Sequence, residues 1–136
     1  MVTMQPYRDM GIYRPTLEWS PSAPIVSVSI ADNYVPLSML SCDALLDTGS
    51  DGTLFPLWVA ESLGLPPIDE EDIKEGPNVR QAFTYLVNVM LPWGEELSDF
   101  ELIGDPEREY AIIGRDILNL FKLTFDGPNQ MVGRTS

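Results

Sequence analysis

Ala44-Leu45-Leu46-Asp47-Thr48-Gly49-Ser50-Asp51 is the stretch from which the fold of this chain is read. Apolar residues that suit the end of a buried strand run straight into an acid, and a glycine follows two residues later. Glycine permits a sharp turn there that a side chain would obstruct. A carboxylate held at such a turn, with apolar walls behind it, sits where its surroundings can set its pKa. Taken alone, the stretch is equally a strand-ending turn capped by Asp47, since short polar turns of this kind arise by chance.

Working outward, the flanks predict a mostly-β chain. Ile25-Val26-Ser27-Val28-Ser29-Ile30 alternates, which places Val26, Val28 and Ile30 on one face of a half-buried strand. Asp32-Asn33 is the turn, Tyr34 to Leu40 the returning strand, and Cys42 to Leu46 a buried one. Thr53 to Gly64 suits a short helix, with Pro56 in its first turn and Gly64 at its end. Pro66 to Lys74 reads as an acidic loop. Its Asp69-Glu70-Glu71-Asp72 run is expected to be solvated and to hold no metal, because adjacent acids without turn glycines seldom converge on one ion.

Farther along, Ala82 to Leu91 is the longest strand candidate, with Phe83, Tyr85, Val87, Val89 and Leu91 on one face, and Phe100 to Ile103 pairs back. Ala111-Ile112-Ile113 is a further buried strand, Asp116 to Phe121 a short helix and Leu123 to Asp126 a last strand. The expected organisation is an arm over 1–23, partly ordered because Pro6, Pro15 and Pro21 interrupt it, one domain over 24–127, and a polar tail over 128–136 that frays.

At 136 residues the chain holds one closed core. It contains no histidine, which excludes a Ser-His-Asp triad, a Cys-His dyad and a His-ligated metal site within this chain. Its single cysteine, Cys42, excludes an internal disulfide, a Cys-x-x-Cys pair and a zinc knuckle. Chemistry is left to carboxylates, hydroxyls, lysine and backbone dipoles. The net charge of −13 repels phosphate backbones and anionic lipid, so neither nucleic acid nor a membrane is an expected partner. Nothing approaches the ~18 apolar residues of a membrane span. The first residues carry no apolar run, so no signal peptide is expected and a cytoplasmic, reducing setting fits best.

Two motifs compete for the acidic turn. Asp51-Gly52-Thr53-Leu54 resembles the end of the Asp-x-Asp-Gly-Thr signature of haloacid-dehalogenase-type phosphatases, but position 49, where the nucleophile belongs, is glycine. The strand-rich remainder also lacks the alternating pattern of an α/β fold. A second segment decides the matter: Ala111-Ile112-Ile113-Gly114-Arg115-Asp116-Ile117-Leu118, a strand ended by glycine with an amphipathic helix directly after it. With Leu46-Asp47-Thr48-Gly49-Ser50-Asp51, in this order and at this separation, the chain resembles the retropepsin family, the single-domain aspartic proteases of retroviral type, from about Pro24 to Gly127.

That resemblance implies an all-β fold: a retropepsin-like acid protease unit, a small closed β-barrel with one or two short helices, half of a bilobal pepsin-like enzyme. It implies an aspartic endopeptidase without cofactor or metal, hydrolysing peptide substrates with Asp47 as the catalytic acid. This chain has one Asp-Thr-Gly where the chemistry needs two, so the active site belongs on the twofold axis of a homodimer. Thr48 resembles the threonine that bonds to the partner loop, and Gly49 the glycine whose carbonyl faces the substrate. Ser50 occupies a position where a hydroxyl can donate to Asp47, which implies an acidic optimum, about pH 4 to 5 by the usual carboxylate rules. Asp51 and Arg115 match the ion pair beneath the active-site loop. Gly114 matches the glycine that lets its strand pass close under that loop, and Gly76, in Gly76-Pro77-Asn78, marks the tip of the hairpin flap over the substrate. That tip lacks the family's glycine cluster. Leu46, Phe55, Leu57 and Ile113 are candidate pocket linings, with core packing as the alternative. Two other readings stand beside the protease: an idle peptide-binding or dimerisation module of the same fold, and an acidic mimic of a nucleic-acid surface.

Overall fold

A computed structural model describes residues 2–6, 23–33 and 38–135. In chain order its strands are β1 (Val2–Pro6), β2 (Ile25–Asp32), β3 (Met39–Leu46), β4 (Leu54–Pro56), β5 (Asp69–Glu75), β6 (Asn78–Met90), β7 (Glu96–Asp105), β8 (Ala111–Ile113), β9 (Leu123–Asp126) and β10 (Met131–Thr135). Two short helices complete it, α1 (Leu57–Ser62) and α2 (Arg115–Leu118). One sheet runs β2-β3-β8-β4-β7-β6-β5, and an extra pairing of β2 with β6 closes the first six of these into a barrel. Closure removes the open sheet edges that a barrel of this size would otherwise expose. β5 hangs outside it, joined to β6 in a long antiparallel hairpin. A separate three-stranded sheet, β1-β10-β9, brings the two ends of the chain together.

The alternation in β2 works as the sequence predicts: Val26, Val28 and Ile30 are buried, packed with Phe55, Val87, Val89, Leu102 and Ile113 in one core. Phe55 is fully enclosed, which stabilises the fold by about 2–3 kcal/mol. β3 is one strand where two were expected; the upstream half of the expected strand Tyr34 to Leu40, residues 34–37, lies outside the described residues. Leu54–Pro56, expected to open a helix, pairs in parallel with β7, and the helix begins only at Leu57. Gly64 ends that helix at a positive φ of 65°, with its N–H bonded to the Glu61 carbonyl.

Two expectations fail at the acidic loop and the tail. Residues 69–75 form β5, because all seven positions pair in register with β6 and Ile73 has apolar neighbours to pack on, so their charges face solvent from a strand. The tail does not fray: Met131–Thr135 doubles back on β9 and buries Val132 completely in the main core. No helix of the described residues is long and apolar enough to cross a membrane.

Candidate active site

β3 and β8 run parallel with Leu46 opposite Ile113, so Asp47 and Gly114 leave the sheet side by side. The Asp47 N–H donates to the Ile113 carbonyl at 2.9 Å, which continues the ladder by one bond. A turn then closes through the Ser50 N–H on the Asp47 carbonyl (3.2 Å). Inside it the Gly49 N–H donates to Asp47 Oδ1 at 2.8 Å. A Cβ on Gly49 would stand only 3.0 Å from that oxygen, so glycine allows the carboxylate to fold over its own turn. Asp47 is half-buried while Thr48 and Gly49 are exposed, which presents the carboxylate at the mouth of the barrel.

Under this loop the packing is backbone on backbone. A Cβ on Gly114 would meet the Gly52 carbonyl oxygen at 2.3 Å and the Ser50 oxygen at 2.9 Å. The Arg115 N–H donates to the Ser50 carbonyl at 2.8 Å. The buried Thr53 hydroxyl ties the layers together: it donates to Asp116 Oδ1 (2.6 Å) and accepts from the Gly114 N–H (3.0 Å). The Thr53 N–H donates to the other oxygen of Asp116 at 3.2 Å. Arg115 reaches over the turn and donates to the Thr48 carbonyl at 2.7 Å.

Beside the loop lies a cleft of about 520 Å³, walled by Ser50, Asp51 and Gly52 on one side and by β5 on the other. Its floor is apolar, with Leu54, Ile73 and Ile103 packed together with Ala82. The β5–β6 hairpin overhangs it, turning at Gly76-Pro77 with Gly76 at a φ of 56°. At this end of the cleft sits a cluster of charges built on Glu75, Arg80, Asp105 and Arg108, with Glu107 at its rim. Asp105, with none of its surface exposed, accepts from Arg80 Nε at 2.8 Å, from Arg80 Nη2, from the Glu107 N–H at 3.0 Å and from Arg108 Nε at 3.3 Å. Arg80 Nη2 also donates to Glu75 Oε1 at 2.8 Å, and Arg108 Nη2 donates to the same oxygen. Burial pushes the Asp105 carboxyl up, but the Arg80 guanidinium, the Glu107 N–H and Arg108 together outweigh it, so it titrates below its ordinary value. Glu75 is also lowered, first by its bond to Arg80, and Arg80 is raised by Asp105 and Glu75.

No family model and no curated protein matches the sequence. The architecture does match solved structures. It superposes on the crystal structure of a retropepsin-like aspartic protease from Rickettsia conorii with a TM-score of 0.53 at 14% identity, covering 86% of this chain and 94% of that one. The fold is retropepsin-like. A further match is the solution structure of the simian foamy virus (mac) protease, with a TM-score of 0.49 at 18% identity, over 70% of this chain and 91% of that one.

Within the retropepsin-like fold, the residues singled out from sequence fall into three groups. Asp47, Thr48, Gly49, Ser50 and Asp51 form one turn; Gly114 and Arg115 lie directly beneath it; Gly76 stands apart at the tip of the overhanging hairpin. Two expected interactions are replaced. Arg115 makes no ion pair with Asp51 among the described residues, because its guanidinium is directed at the Thr48 carbonyl; Asp116, one residue on, is the acid that binds the underside of the loop. The Ser50 hydroxyl donates to the Gly52 carbonyl at 2.7 Å and not to Asp47, whose Oδ1 is served by the Gly49 N–H. Leu46, Phe55, Leu57 and Ile113 belong to the core, and the cleft floor is built from Leu54, Ile73 and Ile103. Trp58 is 43% exposed, whereas Trp93 is buried edge-on against Phe121. Sequence reading missed Thr53 and Asp116, and with them Arg80, Asp105 and Arg108. Asp116 carried a faint signal as the acid next to Gly114-Arg115; the others are joined only by pairing between distant strands.

Proposed function

We propose that this chain is an aspartic endopeptidase that works as a homodimer, with the Asp47 carboxylates of two copies facing each other across a twofold axis. The observation that carries this reading is the buttressed acidic turn. A half-buried carboxylate is fixed by its own loop amide, braced from below by Gly114 and Thr53, and opens beside a cleft with an apolar floor under a β-hairpin. One such turn per chain supplies half of an acid–base pair, and self-association supplies the rest. The surface around the turn suits that role. Thr48, Leu118, Asn119, Phe121, Leu123 and Phe125 line a shallow depression there, with Leu120 60% and Phe125 43% exposed. These exposed apolar side chains beside the turn suit a contact face.

The chemistry then follows from charge. Two carboxylates at hydrogen-bonding distance do not both ionise cheaply, so the pair holds one proton between them. The charged member takes a proton from a water molecule as that water attacks the scissile carbonyl; the protonated member stabilises the growing oxyanion and then protonates the leaving nitrogen. The titrations belong to the pair as a unit. Substrate is an extended peptide segment lying between the turn and β5, its apolar side chains on the floor formed by Leu54, Ile73 and Ile103.

The test is a peptide-library digest across pH with an aspartic-protease transition-state inhibitor as control, paired with sedimentation at the working concentration. Asp47→Asn is expected to lower cleavage by about 10²–10⁴-fold, as loss of general acid–base catalysis does, with the circular dichroism spectrum unchanged. Cleavage that survives Asp47→Asn, or a protein that sediments only as single chains, sinks the proposal. Peptide binding without cleavage in the native protein favours the idle module instead.

A further inference from the structure

The hairpin ladder and the charge cluster, taken together, say how the β5–β6 hairpin is held. β6 pairs with β7 from Met90 back to Phe83, where Phe83 lies opposite Gly104. Before Phe83 the hairpin leaves the barrel ladder: residues 71–82 have backbone ladder pairs only with each other, and Ile73 and Ala82 alone rest on Leu54 and Ile103 of the cleft floor. That small apolar contact leaves the outer end of the hairpin, from Lys74 to Arg80, to be held by other means. Arg80 stands on the outer side of Phe83, and Asp105 stands on β7 one residue beyond the last ladder pair. We propose that Arg80 is a positioning residue that straps the hairpin to the barrel through Asp105 and so sets the height of the cleft roof.

Geometry supports a strap over a chance surface pair. Arg80 grips Asp105 with two nitrogens, Nε and Nη2, and its second Nη2 contact reaches Glu75, the last residue of β5 before the turn. A two-nitrogen fork fixes direction as well as distance, which a lysine ammonium cannot do. Arg108, from the segment after β7, closes the ring by binding Glu75 and Asp105 together. Both strands of the hairpin are thereby fastened to the barrel near their free end. Asp105 is fully buried, so its charge depends on these partners and the strap resists release. The groups facing it are Arg80 from β6, Glu75 from β5, and Glu107 and Arg108 from the segment after β7.

The consequence for peptide cleavage rests on the endopeptidase reading above; the strap itself does not. The test is amide relaxation by nuclear magnetic resonance on the full chain, comparing the native protein with Arg80→Lys and with the milder Glu75→Gln, which leaves Asp105 its partners. Amides of residues 72–81 are expected to have order parameters of about 0.85 in the native protein and to fall towards about 0.6 in Arg80→Lys, while those of β2 and β3 stay unchanged. Glu75→Gln gives a smaller fall. Added salt loosens the native hairpin and has little further effect on Arg80→Lys. With a cleavable peptide, Glu75→Gln raises KM by about threefold with kcat within about twofold, the signature of lost uniform binding. Hairpin order unchanged in both variants overturns the strap, as does loosening spread evenly over β2 and β3. A loosened hairpin in a chain that cleaves no peptide supports the strap and counts against the peptidase; peptide cleavage with unchanged hairpin order does the reverse.

Discussion

Replacing Gly114 by alanine adds one methyl group and should be among the most damaging single changes in the barrel. Gly114 has φ −93° and ψ −173°, extended backbone that alanine adopts freely, so no conformational cost is involved. The damage is contact alone. The new Cβ would stand 2.3 Å from the Gly52 oxygen, 2.6 Å from its carbonyl carbon and 2.9 Å from the Ser50 oxygen, where ordinary contact begins at 3.4 Å. The layers must separate by about 1 Å, and all three atoms are backbone, so no side chain can swing aside. Separation also stretches the Gly114 N–H bond to Thr53 and the Arg115 N–H bond to Ser50. Overpacking of a well-filled site costs about 1–3 kcal/mol, and here the upper end applies. For a chain of this size that lowers the melting temperature by roughly 10 °C, since each kcal/mol shifts it by about 3–5 °C. Urea unfolding at fixed protein concentration, with Gly127→Ala as a control that meets nothing within 4 Å, measures it directly. A Gly114→Ala protein within about 0.5 kcal/mol of the native one refutes the close approach.

Thr53→Val keeps the shape of a buried side chain but strands the Gly114 N–H and removes the 2.6 Å bond to Asp116; a loss of about 1–3 kcal/mol is expected, largely restored by Thr53→Ser. Equal stability of the valine and serine variants by urea unfolding contradicts this. Asp105 and Glu75 both titrate below their ordinary values when folded. Such carboxylates contribute stability that is full above their unfolded values, near pH 4, and is lost as pH falls through the folded ones. The native protein therefore has an acid limb below about pH 4, which Arg80→Met flattens while lowering stability by about 3–5 kcal/mol at neutral pH. Unfolding curves that run parallel across that range refute the assignment.

How far the sequence reached can be judged residue by residue. The period-two runs marked β2 and most of β6, because a barrel strand buries one face, and the apolar run Ala111–Ile113 marked β8 because both its faces are covered. The acid and glycine of the turn over 47–49 were legible too, since they are local demands of a tight loop. β5 was not: its string of acids looks like a loop, and only pairing with β6 makes it a strand. The same holds for β10, whose buried Val132 depends on a core built by strands far away in the chain.

The sequence by itself determined the chemistry available here, a carboxylate at a glycine turn in a chain without histidine, and most of the strands that carry it. Tertiary structure decided which partner each polar group takes. Arg115 finds the Thr48 carbonyl, Asp116 the Thr53 hydroxyl, and Arg80 the buried Asp105, 25 residues away. The reason is physical: a strand's pattern of burial is written in its own period, whereas a hydrogen bond between strands depends on the register and closure of the whole barrel, which no local stretch encodes.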